Sequence, residues 1–82
     1  MLVFTEHAEF AAAERNISRE WVEYVVSNPK LRLNDSRDPE LEWFCAPIRE
    51  FGDRVLRVIV NTRVAPWRVV SEFFDRPMEG KR

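Results

Sequence analysis

At Pro29 the hydrophobic pattern of the chain changes period, and this change restricts the fold more than any other feature of the sequence. Before Pro29, apolar side chains recur at the three- and four-residue spacing of a helix face. After it, polar and apolar residues alternate, as in strands with one covered face. A chain of 82 residues with this pattern is predicted to form a single α+β domain over residues 1–82.

Two helices are predicted before the change. Thr5 is placed to cap a first helix that runs to about Asn16, and Ser18 to cap a second that ends at Asn28 before the proline. The stripe expected to bury the first helix comprises Phe10, Ala13 and Ile17.

Four strands are predicted after the change, over 30–34, 40–51, 54–63 and 67–74, with a tight turn at Gly52-Asp53. The order α-α-β-β-β-β with short connections predicts two helices packed on one face of a four-stranded antiparallel sheet, a two-layer sandwich. Residues Leu2 to Phe4 are candidates for a further short edge strand, and 77–82 for a flexible tail.

Charge separates along the chain although the formal net charge is only −1. Residues 1–50 carry a formal balance of −4 and residues 51–82 one of +3, and eleven of the thirteen cations are arginine. No stretch reaches the roughly 18 apolar residues of a membrane span, and no secretory signal is recognised. With one cysteine, the expected compartment is a reducing cytoplasm.

Arginines are predicted to gather on one face of the sheet. If the helices cover the side of Leu56, Val58 and Val60, alternation places Arg57, Arg63 and Arg68 on the other. Arginine's planar fork suits phosphate, so these residues are candidates to bind RNA. The alternative is that they pair across strands with Glu42 or Glu72.

Most catalytic and cofactor motifs are missing from the sequence. Its two glycines do not form a phosphate-binding loop, and neither a metal-binding motif nor a cofactor signature is found, so no metal or cofactor is expected. Cys45 and His7 are conceivable as a nucleophile and base, but the apolar run around Cys45 favours a buried, inert thiol. His7 itself is a candidate acid or base at neutral pH, or a structural residue at a helix start.

Several short motifs carry a family resemblance over roughly residues 4–75. They are His7-Ala8, then Arg15-Asn16-Ile17-Ser18 at the helix junction, and Asn28-Pro29 at the end of the second helix. The pattern resembles a widespread bacterial family of small domains of unknown function. That family is similar in outline to the BrnT-type and RelE-type toxins, which are small α+β ribonucleases of toxin–antitoxin pairs. Where the family usually has glycine this chain has Asn16, which tolerates the same left-handed helix end.

The resemblance implies metal-independent cleavage of RNA, in which a 2′-hydroxyl attacks the adjacent phosphate. His7 would act as acid or base, and Arg57 and Arg68 would stabilise the phosphate in the transition state. Arg15 and Arg63 are then further residues for binding RNA or a partner.

The competing hypothesis is a non-catalytic module that binds an antitoxin-like protein or a second copy of itself through the arginine-bearing face. The two hypotheses differ in geometry. Catalysis needs His7 and the strand arginines within about 10 Å of one another, because they must contact one reacting phosphate. Dispersed residues favour a binding module.

Overall fold

The structure, a computed structural model, describes residues 2–75, and the predicted tail at 77–82 lies outside this range. Its elements are β1 (Leu2–Phe4), α1 (Glu6–Arg15), α2 (Arg19–Ser27), β2 (Leu31–Asn34), β3 (Leu41–Ile48), β4 (Arg54–Asn61) and β5 (Trp67–Phe74). A short 3-10 helix, Arg49–Phe51, follows β3. The predicted α+β class is confirmed.

Local side-chain chemistry sets the helix boundaries, as predicted. The Thr5 hydroxyl accepts a hydrogen bond from the Ala8 N–H at 3.0 Å, and the Ser18 hydroxyl accepts one from the Trp21 N–H at 3.1 Å. Helix α1 ends at Asn16, whose φ of 57° lies in the left-handed region. The chain can therefore turn from α1 into α2 without a glycine.

The sheet has five strands, in the order β1-β5-β4-β3-β2, so the prediction of a four-stranded, wholly antiparallel sheet is wrong in strand number and in strand direction. The candidate short edge strand at Leu2–Phe4 is confirmed, and it runs parallel to β5. The pairing joins the two ends of the described chain, so α1, α2 and three strands intervene between β1 and its partner. Local sequence therefore carries no signal for it.

Two predicted strands are too long at their ends. Strand β3 ends at Ile48, where the 3-10 helix leads to Gly52 and Asp53, both with positive φ. Strand β4 ends at Asn61, so Arg63 lies in the following loop. Pro47 is accommodated inside β3 because β2 begins only opposite Cys45, which leaves Pro47 on a locally unpaired edge.

Both helices pack on the same face of the sheet. The central strand contributes three fully buried side chains, Leu56, Val58 and Val60, and these join one core with Val22 and Val25 of α2. Helix α1 lies over β5 and buries its small side chains Ala8 and Ala11. The predicted stripe is wrong for two of its three residues, because Phe10 is 63% exposed and Ala13 is exposed too, whereas Ile17 is buried in the core as predicted. The small alanine side chains let the helix approach the sheet closely.

One ionisable residue, Glu72 of β5, is fully buried on this face. Neither of its carboxylate oxygens has a hydrogen-bond partner among residues 2–75. The Arg15 guanidinium donates a hydrogen bond to the backbone carbonyl of Glu72, at 3.1 Å, and not to its carboxylate. Burial raises the pKa of Glu72 to about 7, and the nearby Arg15 charge only partly opposes this.

We therefore expect the stability of the domain to fall as pH rises from 5 to 8. Between the ordinary pKa of glutamate and about pH 7, Glu72 is protonated in the native protein but ionised in the unfolded chain. Its contribution to the free energy of unfolding is therefore complete below its ordinary pKa and is lost as the pH rises through about 7. At roughly 1.4 kcal/mol per pH unit, the loss is on the order of 3 kcal/mol. Urea unfolding at pH 5 and pH 8 measures it.

The variant Glu72→Gln should remove most of this pH dependence and be the more stable protein at pH 8. The matched control is Glu42→Gln, because Glu42 pairs with Arg32 and its pKa is lowered. Glu42 stays ionised from pH 5 to pH 8, so the Glu42→Gln protein should keep the dependence of the unfolding free energy on pH. If the unfolding free energy of Glu72→Gln still fell with pH as it does in the parent protein, another group would be the cause.

Candidate functional site

The sheet face opposite the helices has no cover among residues 2–75, and we call it the open face. Alternation from the buried core residues assigns its side chains, and the strand registers agree. Its apolar members are Val3, Leu31, Leu33, Leu41, Trp43, Cys45, Pro47, Val55, Ile59 and Phe73. Its polar members are Arg57, Asn61, Arg68, Ser71 and Asp75.

The edges of the open face expose large apolar side chains. On β2, Leu31 is 51% exposed and Leu33 is 45% exposed, while Val3 on β1 is 40% exposed. Between them, Trp43, Ile59 and Phe73 are half-buried only by one another and by their strand neighbours. The registers join the side chains of β2, Trp43, Ile59 and Phe73 into one apolar surface, whereas Arg68 and Ser71 of β5 separate Val3 from it.

An ion pair lies within this apolar surface. The Arg57 guanidinium donates from Nε to Asp75 Oδ1, and Asp75 raises the pKa of Arg57 further. The guanidinium also lies over the Trp43 ring, 5.6 Å from its centroid. The charge of Arg57 is thus compensated by a carboxylate and shielded on one side by an indole.

Trp43 is itself held in place from both sides. Its indole Nε1–H donates to Asp35 Oδ2 at 2.9 Å, and its ring meets Phe73 edge-on at 5.9 Å. Asp35 also accepts hydrogen bonds from the backbone N–H groups of Arg37 and Asp38. With the indole bond as the largest cause, these bonds lower the pKa of Asp35, which keeps it an acceptor at neutral pH.

Cys45 lies beside the ion pair but is only 4% exposed. A shallow apolar recess of about 220 Å³ borders it, lined also by Leu31, Pro47, Val55 and Arg57. Burial raises the pKa of the Cys45 thiol, although the positive charge of Arg57 acts in the opposite direction. The thiol is therefore a poor nucleophile in the folded chain.

The residues predicted for catalysis lie on two sides of the sheet. His7 is exposed in the first turn of α1, in the helix layer, whereas Arg57 and Arg68 lie on the open face. Arg68 sits opposite Asn61, about 13 Å along the strands from Arg57 at roughly 3.3 Å per residue. The sheet thus separates His7 from both arginines.

The two residues predicted for binding also lie apart from this face. Arg15 turns back beneath α1 to the sheet backbone, and Arg63 is exposed in the loop after β4. The predicted partners of the arginines differ as well. Glu42 binds Arg32 at 3.0 Å, while Arg57 pairs with Asp75.

Sequence reasoning missed Asp75 and the apolar character of the open face. Asp75 follows Phe73 by two residues, so continuing the β5 alternation past Phe74 would have placed it beside Arg57. Val55 and Ile59 alternate with the core residues of β4 and share the open face with Arg57 and Asn61. The sequence therefore places apolar side chains on both faces of β4, although only the core face is wholly apolar.

Within residues 2–75 no group of three or more metal-binding side chains is found. No helix in that range has the length and apolar character needed to cross a membrane.

Comparison with known proteins identifies one family. A family profile described as "Domain of unknown function (DUF4258)" matches residues 4–71, which includes both helices and most of the sheet. No curated protein and no solved structure matches the chain.

We expect Cys45 to react slowly with iodoacetamide at pH 8 in the native protein, and at least about tenfold faster in urea-unfolded protein. Burial hinders access to the sulfur and disfavours the thiolate, which is the reacting species. Mass spectrometry over time measures both rates. Equal native and unfolded rates would contradict the burial of this thiol.

Proposed function

The chain belongs to the DUF4258 family, and we propose that its function is to bind another protein through the open face. One observation carries the proposal: an apolar surface that extends from β2 through Trp43 and Ile59 to Phe73 and has no cover among residues 2–75. Burying such a surface against a partner stabilises the complex by about 25 cal/mol for each Å² of apolar area removed from water. A surface that only faces water does not need a large apolar patch, so the patch indicates a binding site.

The composition of the open face is that of an interface centre. Such centres are enriched in aromatic residues and arginine and are poor in unpaired charge. Trp43 and Phe73 supply the aromatic rings, and Arg57 is neutralised by Asp75. Trp43 and Arg57 are also held by neighbouring groups, so less conformational entropy is lost when a partner binds.

The helix layer lacks this character although it also exposes two aromatic rings. Phe10 of α1 is 63% exposed and Tyr24 of α2 is 52% exposed, and each helix also exposes glutamates close to its ring. Isolated apolar side chains among charged neighbours are ordinary protein surface. Phe10 is therefore a suitable control position.

RNA cleavage, which the motif resemblance implies, is a second candidate. Two cationic side chains of the open face, Arg57 and Arg68, favour it. Against it, Arg57 is paired with Asp75, and His7 lies on the other side of the sheet. A phosphate held between the two arginines would be out of reach of His7, so the geometry supports protein binding better.

We expect induced expression in a bacterial host to leave growth and total RNA unchanged. The variants His7→Ala and Arg57→Ala should behave like the parent protein, because the two side chains do not meet at one phosphate. Growth curves and RNA electrophoresis provide the readout. Growth arrest with RNA fragmentation that His7→Ala relieves would instead establish a ribonuclease.

Site-specific photo-crosslinking tests the binding role in cells that express the protein. Benzoylphenylalanine in place of Leu33 or Val3, at the two edges of the open face, should give a discrete adduct on illumination. The same probe in place of Phe10 is the control and should give none. All three positions are exposed and apolar, so general stickiness would label them alike.

Either of two results would contradict the proposed function. One is the absence of adducts from both edges of the open face. The other is an identical set of adducts from the open face and from Phe10.

A further inference from the structure

Resting on the proposed binding role, we infer that the open face docks a second copy of this chain, with the two sheets packed face to face about a two-fold axis. Sheets packed in this way lie about 10 Å apart, and the side chains of the two inner faces interdigitate. Three properties of the open face point to this occupant: its area, the charge at its centre and the charges at its two ends.

The area of the open face suits a sheet of equal size. Its three longest strands have eight residues each, which gives a length of about 27 Å, and five strands give a breadth of about 20 Å. The projected area of the whole face, with its polar members included, is on the order of 500 Å². The rugged accessible area exceeds this projection, toward the roughly 800 Å² per partner of a standard interface. A second copy covers the whole face, whereas a short peptide covers a strip.

The centre of the open face carries no unpaired charge that would select an acidic or basic partner. Arg57 and Asp75 compensate each other within the chain. Within residues 2–75, Arg68 at one end of the face and Lys30 beside the Cys45 recess have no ion pair, and neither gives the centre of the face a cationic site for nucleic acid or an acidic peptide. Another neutral apolar face is the chemical match, and two identical copies bring no unpaired like charges together at the centre.

The two ends of the open face differ in charge. Arg68 lies at the start of β5 and is exposed, while the end of β5 holds the Arg57–Asp75 pair, which has no net charge. A two-fold axis across the strands lays two β5 strands antiparallel. Arg68 of each copy then comes over the neutral end of the other, so the two exposed cations stay apart.

Light scattering coupled to gel filtration tests the inference on the full chain. Over roughly 1–100 μM we expect a mass near twice the chain mass of 9.8 kDa. Leu33→Asp places a charge at an exposed edge of the open face, and Ile59→Asp places one at its centre. Each should weaken dimerisation at least about tenfold. Phe10→Asp, in the helix layer, is the matched control and should leave the mass unchanged.

Circular dichroism confirms that each variant is folded, and Leu33→Asp keeps the test decisive if Ile59→Asp unfolds, because Leu33 is 45% exposed. A monomeric parent protein over this range would overturn the inference. A dimer that Leu33→Asp and Phe10→Asp leave equally intact would overturn it too.

The crosslinking experiment separates this failure from that of the proposed function. An open-face adduct of twice the chain mass supports the second copy. An adduct with a different protein leaves the binding role standing and overturns the second-copy inference.

Discussion

Two short helices can cover only one face of a five-stranded sheet, and the rest of the molecule follows from this limit. Helices of ten and nine residues, each about 10 Å wide, span roughly the breadth of five strands. Their cover buries Leu56, Val58 and Val60 completely, and the alternate side chains of β4 are left on the other face. The helices therefore leave Val55 and Ile59 of β4 on the open face, beside Arg57 and Asn61.

The Arg57–Asp75 pair is the contact on which the proposed preference for protein over nucleic acid depends. With the carboxylate in place, the pair carries no net charge and the guanidinium lies against the Trp43 ring. Without it, Arg57 and Arg68 would be two unpaired cations on one face, which suits a phosphate backbone. In the proposed function, one acidic residue beyond the end of β5 therefore makes the face better suited to a protein than to nucleic acid.

Local patterns predicted much of this fold, and long-range pairing accounts for most of what they missed. The caps at Thr5 and Ser18 and the turn at Gly52 act within a few residues, so the sequence displays them directly. The parallel pairing of β1 with β5 has no local signal. On α1, the large Phe10 was assigned to the core, yet close packing on the sheet selects alanine. At the site, the open-face position of Arg57 followed from alternation. Arg68 lies on the same face because β5 has one extra residue opposite Ile59 and Val60, and the sequence shows no sign of this register shift.

The open face also affects how stable a domain of this size is. A chain of 82 residues buries a modest share of its surface, and here a fully buried Glu72 without a side-chain partner in residues 2–75 subtracts from its stability at neutral pH. A partner that binds only the folded chain adds stability in proportion to the logarithm of its concentration. If that partner is a second copy, folding and association are linked, and the thermal midpoint rises with protein concentration. The open face then serves the fold as well as the function, because the apolar surface that two helices cannot cover is covered by assembly.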